Sequence, residues 1–191
     1  MAASLFVSIA ALAAPAAPPL QVIQLKNGFN LTPMEGLRDN TFVTIAHLDN
    51  HDAHSYDMTI IYSDLHDPHK PWPTGLQIVP LREKSGAETR SLFTEVGTKC
   101  MPEDYRMVGN TPDHRTWLIV AKRAAGKSPD AKQAVTFTYY RLTTADKRVA
   151  GTPPVEFRYF KSQVSRHHYC SVETAFQKEL GLGAYRIDLS K

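Results

Sequence analysis

The sequence lacks the motifs that usually reveal an enzyme. It contains no Gly-x-Ser-x-Gly, no Ser-x-x-Lys and no Lys-Thr-Gly, so no nucleophilic serine is indicated. The zinc-binding pattern His-Glu-x-x-His is also missing. We therefore expect a protein that is not an enzyme and that carries no cofactor.

The net charge is small, and long apolar runs are scarce. The formal net charge is only +3 over 191 residues, which is too small to favour nucleic acid as a partner. The longest apolar run, Leu5 to Ala14, has half of the roughly 20 residues that a membrane-spanning helix needs. We expect no nucleic-acid partner and no stable insertion in a membrane.

The first nineteen residues differ from the rest and are typical of an export signal. The run Leu5 to Ala14 is followed by an alanine and proline tract, Pro15 to Pro19, without a charged side chain. We predict a cleaved signal peptide at 1–19, a single domain at 20–191 and a periplasmic location. The chain length suits one globular domain.

Only two cysteines are present, Cys100 and Cys170. An even pair in an oxidising compartment most simply forms a disulfide. The alternative is two buried, reduced thiols.

The remainder of the chain alternates short apolar stretches with turn residues, which predicts an all-β fold, an antiparallel β-sandwich. We expect Trp117, Phe137, Tyr139 and Phe157 in its core. The predicted strands are Gln21 to Leu25, Thr41 to Leu48, Asp57 to Tyr62, Leu76 to Leu81, Ser91 to Val96, Tyr105 to Val108, Thr116 to Lys122, Val135 to Leu142, Val155 to Phe160 and Tyr185 to Leu189.

One short helix is predicted near the C-terminus. Apolar residues recur at helical spacing between Val172 and Leu180. Ser171 is a suitable N-cap and Gly181 a suitable stop. Just before it, the basic residues Arg166, His167 and His168 are predicted to lie in a solvated loop.

An acidic, histidine-rich segment, from Glu35 to His69, is the candidate functional region. It holds seven acids and five of the eight histidines. The candidate binding residues are those of its central turn: Asp49, Asn50, His51, Asp52, His54, Tyr56 and Asp57. Imidazoles and carboxylates can bind zinc or copper, but Asx-turns use the same residue types for structure alone. Metal binding therefore remains open.

Two stretches resemble the periplasmic carbapenem intrinsic-resistance proteins of the CarG type. One runs from Asn50 to Asp57 and continues to Thr59 and Tyr62; the other is Tyr169 to Val172 with Ala175-Phe176 and Glu179 to Gly181. The resemblance implies protection against a carbapenem by a periplasmic protein without β-lactamase activity.

The functional expectation is therefore a non-enzymatic binding protein, with a small-molecule antibiotic or a periplasmic protein as partner. Carbapenem self-resistance by binding is its most specific form. The alternatives are an immunity or inhibitor protein against a secreted toxin or hydrolase, and a metal-binding protein that uses His51 and His54. We further expect the surface from Asp49 to His69 to bind in a pH-dependent way, because carboxylates favour charged neighbouring imidazoles.

Overall fold

The computed structural model describes residues 19–37, 41–51, 55–64, 75–144 and 155–185. Residues 1–18 of the predicted signal segment lie outside this range, so the signal and the domain bounds stay predictions. The elements are β1 (Gln21–Val22), β2 (Gly28–Leu31), β3 (Thr41–Leu48), β4 (Ser55–Asp64), β5 (Leu76–Ile78), β6 (Leu81–Arg82), β7 (Glu88–Thr89), β8 (Leu92–Val96), β9 (Glu103–Gly109), β10 (Trp117–Arg123), β11 (Gln133–Thr144), β12 (Val155–Tyr169) and α1 (Val172–Leu180).

The strands form two sheets, which confirms the all-β prediction. The seven-stranded sheet has the order β1-β9-β10-β11-β12-β6-β7, and the five-stranded sheet has the order β2-β3-β4-β5. Strand β8 pairs with β4 beside β5, because β4 is long enough to hold both partners. Every pairing between the described strands is antiparallel except the two-residue contact of β6 with β12.

Apolar side chains fill two layers, one on each face of the seven-stranded sheet. Leu118, Val120 and Phe157 pack against Val43 and Ile61 of the five-stranded sheet and form the sandwich core. On the opposite face of this sheet, a second layer of buried side chains packs against α1. Its members are Trp117, Ile119, Ala121, Phe137 and Tyr139 of the sheet and Val172, Ala175 and Phe176 of α1. The four core residues predicted from the sequence are all buried.

Helix α1 lies where the sequence places it. The Ser171 side chain accepts a hydrogen bond from the Glu173 amide at 3.2 Å, and Gly181 ends the helix with a φ of +68°. That left-handed conformation favours glycine because it has no Cβ. Among the described residues, no helix is long and apolar enough to cross a membrane.

The predicted strand from Leu76 to Leu81 is wrong as one element, because it divides between the two sheets. Residues 76–78 form β5 in the five-stranded sheet, whereas Leu81 begins β6 in the seven-stranded sheet. Pro80 stands at the division, and its carbonyl accepts a hydrogen bond from the Phe157 amide at 2.8 Å. A proline has no N–H to continue a ladder, so the chain changes sheets there.

Both terminal strands are shorter than predicted. β1 ends at Val22, although the Ile23 amide still donates to the Met107 carbonyl at 2.8 Å. Tyr185 belongs to no strand, and the rest of the predicted strand up to Leu189 lies outside the described residues.

The prediction of a loop at Arg166 to His168 is wrong. These residues belong to β12, which continues nine residues beyond its predicted end at Phe160. His168 pairs with Ala134 and Tyr169 with Gln133 of β11. The exposed end of β12 has no apolar alternation to reveal it, so backbone pairing with β11 sets its length.

Candidate functional site

The predicted binding turn joins β3 to β4 and is held by one aspartate. Asp49 Oδ1 accepts hydrogen bonds from the His51 amide at 2.8 Å and from the Ser55 hydroxyl at 3.3 Å. His51 has a φ of +56° and an exposed side chain, with Nδ1 3.6 Å from Asp49 Oδ2. This is an Asx-turn, in which the carboxylate replaces a backbone acceptor.

The other residues of the predicted site are dispersed. Asn50 is exposed beside His51, whereas Asp52 and His54 lie outside the described residues. Tyr56 is half-buried in β4 and pairs with Leu48 of β3 and Glu95 of β8. Within the described part of the chain, no group of three or more His, Cys, Asp or Glu side chains could hold a metal ion.

Asp57 belongs to the sheet rather than to the turn. Its side chain is completely buried, and Oδ1 lies 2.7 Å from Nδ1 of His47, its cross-strand neighbour on β3. The His47 ring remains 43% exposed. The pair therefore joins two central strands, with its carboxylate on the core side.

We expect Asp57→Ala to reduce the free energy of unfolding by about 1 to 3 kcal/mol, because it removes a buried hydrogen-bonded carboxylate. The control His51→Ala should change it by less than about 0.5 kcal/mol, since that ring is exposed. Urea unfolding followed by tryptophan fluorescence measures both. Equal losses in the two variants would contradict this division of the predicted site into a buried pair and an exposed turn.

The basic residues ahead of α1 are tied to the helix by one glutamate. Glu179 Oε1 accepts from the amides of Arg166 and His167 at 3.2 Å each, and from the Tyr169 hydroxyl at 2.7 Å. The Tyr169 hydrogen bond and these backbone donors lower the pKa of Glu179. The two histidine side chains point to solvent.

Sequence reasoning missed a buried ion pair on β9. Asp104 and Arg106 lie two residues apart, so they share a face of the strand, and both are almost completely inaccessible. Arg106 Nη1 donates to Asp104 Oδ2 at 2.5 Å and to the Tyr105 carbonyl at 2.7 Å, while Nε donates to the Gly183 carbonyl at 2.7 Å. The Nη2 group takes no part in these three bonds.

Two aromatic rings flank the Arg106 guanidinium. Its central carbon lies 4.5 Å from the centroid of Phe176 on α1 and 5.2 Å from that of Tyr185. Cation–π attraction strengthens when the cation is removed from water. Arg106 therefore connects β9, α1 and the segment that follows α1.

Burial raises the pKa of Asp104, and the attraction and hydrogen bond of Arg106 oppose that rise. The nearby carboxylate of Glu173 adds to the rise. Burial also raises the pKa of Tyr105 to about 12, and its hydroxyl lies 2.8 Å from Thr59 Oγ1.

A cavity of about 290 Å³ lies beside this ion pair. We call it the Arg106 pocket; it is lined by Thr94 and Val96 of β8, Met101, Asp104, Arg106, Glu173 of α1, Ala184 and Tyr185. The lining combines apolar surface with convergent polar groups, as small-molecule sites do. Two of its lining residues, Asp104 and Arg106, are buried and compensate each other's charge, whereas Glu173 is exposed.

A second cavity, of about 250 Å³, lies between the β6–β7 hairpin, β8 and the edge of the sandwich core. The Tyr140 hydroxyl donates to Glu83 at its wall, with 2.7 and 2.8 Å to the two carboxylate oxygens. Lys122 Nζ lies 2.9 Å from Glu103 Oε1. Its four ionisable side chains, Tyr140, Glu83, Lys122 and Glu103, are thus already paired with one another.

Comparison with solved structures finds a structural relative of this chain. No protein-family profile matches the sequence, and no curated protein matches it. The solved structure of CarG superimposes with a TM-score of 0.64 at 21% sequence identity, over 83% of this chain and 95% of CarG. At this identity the likeness concerns the fold, so this chain shares its two-sheet architecture with CarG.

Proposed function

We propose that this chain is an exported, non-enzymatic binding protein that protects its host from a carbapenem by binding the antibiotic. The observation that carries the proposal is the fold likeness to CarG, which spans 95% of that protein. Two stretches of the sequence, around Asp57 and around Cys170, independently resemble the carbapenem intrinsic-resistance proteins of the CarG type. The disulfide between Cys100 and Cys170 agrees with an oxidising compartment.

The Arg106 pocket is our proposed place for the antibiotic. Its volume of about 290 Å³ is near the lower end of the range for small-ligand sites, and a carbapenem is a small ligand. A carbapenem carries one carboxylate, for which a guanidinium is the preferred partner. The Nη2 group of Arg106 would supply the donor, and the apolar walls at Val96 and Met101 would contact the ring system.

We expect the full chain, expressed in a carbapenem-sensitive bacterium, to raise the inhibitory concentration of imipenem. The purified protein should bind imipenem in calorimetry and leave the β-lactam absorbance unchanged over hours. Loss of that absorbance would indicate an enzyme. An absence of both protection and binding would favour the alternative hypothesis, an immunity or inhibitor protein against a secreted toxin or hydrolase.

Two variants test the pocket itself. Ala184→Trp places an indole at an exposed residue of the pocket lining and should abolish imipenem binding. Ala125→Trp, on the exposed β10–β11 loop, is the matched control. Glu173→Gln removes a carboxylate that would repel the carboxylate of the ligand beside Arg106, and it should tighten binding by about two- to fivefold, the scale of an exposed charge pair. Binding that survives Ala184→Trp would move the site elsewhere, and Asp49→Ala would then test the β3–β4 turn.

A further inference from the structure

One edge of β12 has almost no partner strand. β12 is 15 residues long and pairs with β11 along most of its length, whereas β6 pairs on the other edge with Phe157 and Arg158 only. Among the residues that the structure describes, no strand pairs with that edge beyond Arg158. We call its stretch from Tyr159 to Val164 the open edge. An exposed edge of this kind is a template on which another strand can pair.

The open edge lies clear of both packed layers. Every side chain from Phe160 to Val164 is exposed, although successive side chains of a strand point to opposite faces of the sheet. Phe160 is 42% exposed and Val164 is 62% exposed. A partner strand can therefore approach this edge from solvent.

The length of the open edge suits one short segment. Shifts of register interrupt the pairing of β11 with β12 between Ala134 and Thr136 and again between Tyr139 and Tyr140. The β12 residues between these shifts pair without interruption; Lys161, Ser162, Gln163 and Val164 lie opposite Tyr139, Thr138, Phe137 and Thr136 respectively. Bulges limit how far an edge can be extended, so this regular stretch has room for a single short strand.

The two faces of the regular stretch differ in chemistry. Lys161 lies opposite Tyr139, whose ring belongs to the layer that packs against α1, and its Nζ is 4.6 Å from the centroid of that ring. Val164 lies on the other face of the sheet, because strand side chains alternate. An added strand would place alternate side chains beside Lys161 and beside Val164. Acidic residues suit the first face and apolar residues the second.

The charges along this part of β12 have one sign. From Arg158 to Tyr169 the strand contains three Arg or Lys residues and two His residues, but no Asp or Glu. Arg158 pairs with Glu156 at 2.5 Å, whereas Lys161 and Arg166 have no carboxylate partner in the described part of the chain. Two of the cations are therefore available to a ligand.

This charge selects the kind of partner. A second copy of the chain would bring the same cations against the open edge, and lysine on an exposed edge opposes pairing between like strands. An acidic segment is attracted by the same cations, which favours encounter and fixes its register.

We propose that the open edge of β12 binds an extended acidic segment of a partner protein by β-strand addition. Main-chain hydrogen bonds to the edge supply the affinity, while Lys161 and Val164 select alternate acidic and apolar side chains of the segment. The open edge shares no residue with the Arg106 pocket, so this binding is independent of whether the protein binds a carbapenem.

Titration calorimetry of the purified protein with synthetic peptides tests the proposal. The probe is a short peptide with blocked ends in which glutamate alternates with valine. One control peptide has lysine in place of glutamate, and the other keeps the glutamates but has N-methylated central amides. We expect saturable binding of the first peptide alone. The proposal is overturned if that peptide does not bind, or if either control binds equally well.

A charge reversal locates the site on β12. Lys161→Glu should weaken binding of the acidic peptide by at least about fivefold, because it replaces an attractive cross-strand pair by a repulsive one. Lys26→Glu is the matched control, since Lys26 is also exposed, lies outside β12 and changes the net charge equally. Equal weakening in both variants would show a dependence on net charge alone and would overturn the proposal.

Amide hydrogen exchange of the wild type observes the edge directly. The amides of the open edge that point away from β11 should exchange at least about tenfold more slowly when the acidic peptide is saturating. Protection that appears without peptide, as the protein concentration rises, would overturn the proposal in favour of a second copy. Protection by anionic lipid vesicles but not by the peptide would overturn it in favour of a membrane surface.

Discussion

Arg106→Met should reduce the free energy of unfolding by about 3 to 5 kcal/mol, the usual loss when one member of a buried ion pair is removed. The reason is the carboxylate that remains. Asp104 is buried, and its Oδ2 is 2.5 Å from the guanidinium that the substitution deletes. The Gly183 and Tyr105 carbonyls also lose their hydrogen-bond donors, which are Nε and Nη1 of Arg106 respectively.

The loss should depend on pH in a direction that the Asp104 carboxyl sets. Burial raises the pKa of Asp104 above its ordinary value of 3.8, and Arg106 opposes the rise, so removing Arg106 raises that pKa further. A folded state that holds its proton more tightly than the unfolded state loses stability as pH increases. Arg106→Met should therefore be closest to wild type near pH 4 and should lose stability as pH increases through the window between 3.8 and the raised pKa.

Two further variants separate the buried charge from lost packing. The double variant Asp104→Leu with Arg106→Met should recover most of the lost stability, because no unpaired charge is left in the interior. Arg90→Met is the matched surface control, since Arg90 is 66% exposed and pairs with Glu88 at 2.7 Å; it should change stability by less than about 1 kcal/mol. Urea unfolding at pH 4 and pH 7 measures all four proteins. A double variant as unstable as Arg106→Met would show that packing, not charge, is the cause.

Elements defined by local signals are the part of the fold that the sequence predicts well. Helix α1 has its N-cap, its apolar spacing and its terminal glycine within eleven residues, from Ser171 to Gly181. Strands β3, β4, β10 and β11 likewise show their buried faces through alternation or through a continuous apolar run. Both kinds of signal need no knowledge of distant residues.

The sequence does not predict the elements of the fold that depend on distant partners. The exposed end of β12 is a strand because it pairs with β11. In the same way, β2 is a strand because it pairs with β3. The sequence contains Pro80, but it does not show that the chain passes from one sheet to the other there. That position depends on the hydrogen bond from the distant Phe157 amide to the Pro80 carbonyl.

The same distinction applies to the candidate sites. The β3–β4 turn is local, so an Asx-turn could be inferred from its Asp and Asn residues, and Asp49 confirms it. The Arg106 pocket gathers β8, β9, the first turn of α1 and Tyr185, which are up to 91 positions apart between Thr94 and Tyr185. The sequence signal was Arg106 in the predicted strand Tyr105 to Val108 and Asp104 immediately before it, a period-two pair of charges that usually marks a solvated face.

Removing the disulfide should lower the free energy of unfolding by about 4 kcal/mol, and the midpoint of thermal unfolding by roughly 10 °C for a domain of this size. Cys100 and Cys170 are bonded across a separation of 70 residues, as the sequence predicted. In the chain-entropy description, a cross-link over so long a loop restricts the unfolded chain strongly.

The native contacts around the bridge are expected to survive its removal. The Val172 amide donates to the Met101 carbonyl at 3.0 Å, and Arg123 Nη1 donates to the Cys170 carbonyl at 2.7 Å. These bonds hold the start of α1 against the loop before β9 without help from sulfur. The double variant Cys100→Ser, Cys170→Ser should thus keep the native circular dichroism and differ mainly in its unfolding midpoint.

Reduction of the wild type provides the matched experiment, because it breaks the bridge without changing the sequence. Unfolding in urea with dithiothreitol should give the same free energy as the double serine variant to within about 0.5 kcal/mol. The denaturant dependence of the free energy should also become steeper, since an uncrosslinked unfolded chain exposes more surface. If reduction leaves the unfolding midpoint unchanged, the bridge does not restrict the unfolded chain, and the stability of the fold must come from its two buried layers alone.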